Sequence, residues 1–207
     1  MAKRLILFAL RLLLLNVIAG ILALIFAGID NTVVQYFIEG FIALALWAFV
    51  WSDASNKGFD HVRRDRNSVK AIEAGKPEAA SPYKNYIPWF GFVSGAIAQI
   101  PVLALIVAYL VAGGTETMLY PILNITNIHF AIIAQQALMP IYPFFYLLTA
   151  LVFIAVAGLG YMNGPAKQRR LETIIERNKA KKAKRVQDEI KANQKRKGPK
   201  KPDIRRE

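Results

Sequence analysis

The sequence predicts an all-α integral membrane protein with four transmembrane helices, and two observations carry that prediction. Hydrophobic residues make up 55% of the 207-residue chain. They are gathered into long runs, each of about 20 residues or more, the length that crosses a hydrocarbon core of ~30 Å. Charge is segregated just as sharply. The net charge is +13, yet two of the connections between the runs carry no Lys or Arg at all. In lipid a backbone must satisfy its own hydrogen bonds, so the runs are helices.

The first run, 5–29, is broken only by Arg11 and Asn16. It has the basic start and small-residue end of a signal peptide. Its length and the arginine inside its apolar core argue for a retained span instead. The long stem of Arg11 predicts snorkelling to the headgroups. Asn16 shares a stripe with Ala19, Ala23 and Ala27, and small residues at this spacing predict close helix packing.

The second run, 33–52, holds Gln35 and Glu39. A carboxyl at membrane depth is costly and marks a functional candidate. The third, 88–112, has Ser94 and Gln99 as its polar side chains. Gly91 and Gly95 form a GxxxG pair, which predicts tight packing of the first and third helices or of two copies of the chain. The fourth, 141–162, has Thr149 as its one clearly polar residue.

Charge sets the orientation. Three Lys/Arg precede or begin the first span, seven lie in 53–87, and seventeen follow the fourth span. Together these are all 27 in the chain. The positive-inside rule puts these segments in the cytoplasm, so the topology is N-in/C-in in a cell inner membrane. Trp51, Tyr83, Tyr86, Trp89 and Tyr161 fall near the inner boundary, as amphipathic rings should.

Three connecting segments remain. In the cytoplasmic loop 53–87, residues 58–77 predict a short amphipathic helix lying on the anionic leaflet and stopped by Gly75 and Pro77. His61 and Asp65 are four residues apart on it. With no nucleophile or third ligand in sequence, they predict a solvated, salt-bridged surface rather than a base for catalysis. In the outer loop 113–140, residues 121–140 are apolar but carry six scattered polar side chains. They predict a short interfacial or re-entrant helix, since a fifth span would export the basic tail. The tail, 164–207, predicts a basic cytoplasmic helix that gives way to disorder after Gly198-Pro199.

These features bound the function. With no Cys there is no thiolate chemistry, and the two histidines are expected on opposite sides of the membrane. No metal or cofactor motif is present, and the chain is read as not an enzyme. The expectation is a non-catalytic scaffold or accessory subunit. Its contacts would be anionic phospholipid through Arg169, Arg170, Lys181, Lys182, Lys184 and Arg185, or a cytoplasmic protein or ribosomal RNA through the same cations. Homo-oligomerisation through the small-residue faces is a further expectation. The alternative is a small transporter or channel component, with Glu39, Gln35, Gln99 and Asn16 as pathway residues.

Overall fold

The computed structural model describes residues 2–26, 28–111 and 142–196. Among them the regular structure is helical: α1 (Ala2–Phe26), α2 (Thr32–Glu73), a short 3-10 turn (Pro77–Ala79), α3 (Phe90–Val111), α4 (Tyr142–Met162) and α5 (Gly164–Arg196). Four helices are long and apolar enough to cross a membrane. The segment expected to form an outer helix, 121–140, lies outside the described residues, as do Ala27 and the tail beyond 196. The chain divides into two compact units, 1–165 and 166–207.

α2 differs from the sequence reading. The expected span and the expected surface helix are one continuous helix of 42 residues, about 63 Å long at 1.5 Å per residue. The reason is local. Asn31 caps the start, its side chain accepting from the backbone N–H of Val33 at 3.0 Å and Val34 at 3.2 Å. No proline then interrupts the run until Pro77. Ala74 and Gly75 close the last turn by donating back to Lys70 and Ile72, and Gly75, at φ +71°, takes the left-handed conformation that a side chain disfavours.

In the bundle, α1 packs on α2 and α3, and α4 packs on the same two helices. The core combines Phe8 and Leu12 of α1 with Leu46, Val50 and Ala54 of α2, Phe90 and Ala98 of α3, and Phe153, Ala157 and Tyr161 of α4. The outside is also apolar: Phe37, Phe41, Leu44 and Phe49 on α2 and Leu148 and Leu151 on α4 are all exposed. Such a surface would be an aggregation liability in water and suits contact with lipid.

The GxxxG pair faces α4. A Cβ on Gly91 would stand 2.7 Å from the Ala157 carbonyl oxygen, and one on Gly95 would stand 3.2 Å from the Ala157 Cβ. The partner helix is therefore the fourth rather than the first. Ala19 and Ala23 of α1 are buried in the core.

Candidate functional site

The intramembrane residues singled out by sequence are distributed over three helices. Asn16 on α1, Glu39 on α2 and Gln99 on α3 are all buried, while Gln35 is half-buried. Glu39 Oε2 has no hydrogen-bond partner among the described residues. Arg11 does not simply snorkel. Its guanidinium pairs with Asp53 at 2.8 Å. Burial pushes the Asp53 carboxyl above its ordinary range, and the charges of Arg11 and Lys57 pull the other way. The tail cations Arg169, Arg170, Lys181, Lys182, Lys184 and Arg185 are all exposed along α5.

The best-built polar site lies elsewhere, at the end of the bundle where α1 begins. It centres on His61, which sequence reasoning placed on a solvated surface. The structure corrects that: His61 is 2% exposed. The burial follows from two glycines. A Cβ on Gly58 would strike the Tyr161 carbonyl oxygen, and one on Gly164 would strike the Gly58 backbone. Bare backbone on both sides lets α2 cross the α4–α5 junction closely. His61, one turn beyond Gly58, is thereby pressed into the aromatic residues of α3 and α4.

Those aromatics enclose the imidazole. Its ring stands edge-on to Phe90 at 5.1 Å and to Tyr161 at 5.7 Å, and Tyr86 stacks on Tyr161 at 5.3 Å with the planes 2° apart. Such geometries suit the ring quadrupoles. Nδ1 lies 2.8 Å from the Tyr161 hydroxyl, and Tyr161 is fully buried. A buried hydroxyl proton needs an acceptor. Among the described residues Nδ1 is the acceptor within its reach, so the tyrosine donates to Nδ1, while the Ile87 N–H approaches the Tyr161 oxygen at 3.5 Å. The neutral ring then carries its proton on Nε2. Nε2 is buried and has no partner among the described residues.

Asp65, four residues beyond His61, organises the following loop. Its Oδ1 accepts from the Asn85 backbone N–H at 2.7 Å and the Asn85 side-chain amide at 2.8 Å, and its Oδ2 accepts from the Tyr86 N–H at 2.9 Å. Burial alone would raise this carboxyl, but the Tyr86 and Asn85 donors outweigh it and hold the group below its usual range. Asn85 in turn accepts from Arg4 Nη1 at 2.8 Å. The start of α1 and the 81–86 loop are thus joined.

Electrostatics keep His61 neutral. Burial lowers it most, the Lys57, Arg64 and Arg4 charges add to that, and Asp65 opposes; the ring is brought from 6.5 to about 4. Beside it opens a cavity of about 430 Å³ lined by Arg4, His61, Tyr83, Lys84 and Phe90 together with Ser81 and Asn85.

The chain matches no family model, no curated protein and no solved structure. Function must therefore be argued from the residues themselves. Among the described residues, no three His, Cys, Asp or Glu are grouped to hold a metal ion. His61 lines the cavity as a neutral hydrogen-bond donor, with the Arg4 and Lys84 cations in the same wall and the Ser81 hydroxyl committed to Tyr83. Such a set binds an anion more readily than it performs general-base chemistry. The one sequence signal for it was the spacing of Gly58, His61 and Asp65 on α2, followed by Tyr86 and Phe90 four residues apart. Nothing in the sequence linked these to Tyr161.

Proposed function

We propose that the protein is a bacterial inner-membrane protein of four spans with both termini in the cytoplasm, a non-catalytic scaffold or accessory subunit working through its basic inner face. The observation that carries this reading is that the N-terminal cations and those of the second connection meet at one end of the bundle. Arg4 bonds to Asn85 at 2.8 Å, which joins the N-terminal cations to those of the second connection. Gly58 against Gly164 brings the start of the basic helix to the same end. All Lys and Arg of the chain lie on these segments, as positive-inside topology requires.

α5 supplies the reach. Its cations alternate with exposed Leu171, Ile174, Ile175, Val186 and Ile190. An exposed helix with both cations and apolar side chains suits an anionic lipid surface, at ~1 kcal/mol or less per cation, and leaves a face for a cytoplasmic partner. The test is recovery of partners from gently solubilised native membranes, full-length chain against chain ending at Glu176. Loss of a defined partner set with residues 177–207 supports a tether. An unchanged set refutes it.

A second reading, a small transporter or channel component, is favoured by one observation: Glu39 is 4% exposed with an oxygen unpartnered among the described residues. Glu39→Gln in reconstituted vesicles decides it. A loss of ion or solute flux supports the pathway role, and unaltered flux removes the only charged group in that reading.

A further inference from the structure

We propose that the cavity beside His61 is a binding site for a phosphate oxyanion, held by the Arg4 guanidinium, the Lys84 ammonium and the His61 Nε2–H. The ligand is a phosphate ester, from a phospholipid headgroup or a soluble organophosphate. This inference goes beyond the tether reading and does not depend on the tail.

The argument begins with the polar groups around the cavity and asks which remain unused. The Asp65 carboxylate is committed to Asn85 and Tyr86. The Asn85 amide is committed to Asp65 and its oxygen to Arg4. The Ser81 hydroxyl donates to the Tyr83 carbonyl at 3.0 Å. Those groups build the wall. What remains is a set of donors. A guanidinium has five N–H groups, and the bond to Asn85 uses Nη1 alone. Lys84 adds an ammonium. Nε2 of His61 is buried without a partner among the described residues, and its tautomer, set by the Tyr161 hydroxyl on the other nitrogen, makes it a donor.

No carboxylate lines the cavity among the described residues. A site of donors and positive charge, with acceptors already spent, selects an anion. The donors come from three segments, α1, α2 and the 81–86 loop. That arrangement suits the several oxygens of a tetrahedral phosphate better than a planar carboxylate. The remaining wall is apolar, from Phe90 and the ring of Tyr83, and at about 430 Å³ the cavity is larger than a bare phosphate needs. An ester with an organic body fits both facts. Tyr83, in the cavity wall, is exposed, the kind of ring that sits at headgroup level.

Charge at the site does not depend on the imidazole. The groups that bear on His61 are Lys57, Arg64 and Arg4 on the positive side and Asp65 on the negative. The ring is neutral near pH 7 and donates without a charge of its own; Arg4 and Lys84 neutralise the ligand.

The test uses the full-length chain purified in a maltoside detergent, which contains no phosphate. Calorimetric titration is run with glycerol 3-phosphate in one arm and dihexanoyl phosphatidylglycerol in the other. Lys84→Gln alters an exposed side chain and leaves the packing intact. It is expected to weaken binding about tenfold, the scale of one charge-assisted hydrogen bond. Arg4→Gln does the same or more, while Lys181→Gln on the tail changes nothing. The His61 Nε2 proton resonance moves downfield on saturation. Binding in both arms supports a phosphate-ester site, binding of the lipid alone assigns the headgroup, and binding of glycerol 3-phosphate alone assigns a soluble ligand. Absence of binding in both arms overturns the proposal, as does binding that Lys84→Gln and Arg4→Gln leave at wild-type strength.

Discussion

Replacing Gly58 by alanine separates a structural crossing from a merely permissive glycine. The new Cβ would collide with the Tyr161 carbonyl oxygen and approach the Gly164 Cα at 3.4 Å. Both are backbone atoms, and neither can rotate away. The helices must move apart. Overpacking of this kind costs roughly 1–3 kcal/mol. His61 lies one turn along the same face, so separation also stretches its 2.8 Å bond to Tyr161; a buried hydrogen bond is worth about 1 kcal/mol. Alanine's better helix propensity returns up to ~1 kcal/mol. The net expectation is a loss of roughly 1–3 kcal/mol. Gly40 is the control. It lies on the same helix with nothing within 4 Å of its would-be Cβ. Gly40→Ala should be neutral or stabilising by up to ~1 kcal/mol. Thermal and denaturant unfolding of both variants in one detergent measures the gap, expected at about 1–4 kcal/mol. Equal stabilities within ~0.5 kcal/mol would refute the reasoning, because the crossing would then be loose enough to admit a methyl group.

Two further outcomes follow from the same site. His61 is held at about 4 in the fold against 6.5 unfolded, so the unfolded chain takes up the proton first as pH falls. Its contribution is full above pH 6.5 and is lost between there and about 4. Conversion of the whole shift gives ~3 kcal/mol at most. An NMR titration in a His129→Gln background reads it directly, and a midpoint near the ordinary histidine value contradicts the burial argument. Asp65→Ala removes the acceptor for three N–H groups at once, with an expected loss of ~2 kcal/mol and faster amide exchange at Asn85 and Tyr86. Unaltered exchange at those two amides would show that the carboxylate does not hold the loop.

The sequence by itself determined the helical class and the four apolar spans, because an apolar run of sufficient length has one solution in lipid. It also marked Glu39 and Asn16 as polar residues at membrane depth, and Gly91 and Gly95 as a packing pair, since those features are local in the chain. What it misjudged depended on contacts between distant segments. The end of the second span was legible as a drop in hydropathy. That the helix runs on unbroken was not, because composition changes there while backbone propensity does not. Arg11 found Asp53, 42 residues away, where a one-dimensional reading offered it only headgroups. His61 shows the limit most clearly. Among arginines on a charged segment it has the neighbours of an exposed residue. Only the tertiary structure places Tyr161, 100 residues on, against it. The cause is the backbone crossing at Gly58 and Gly164, where two missing side chains set the distance, and an absent side chain does not name its partner in sequence.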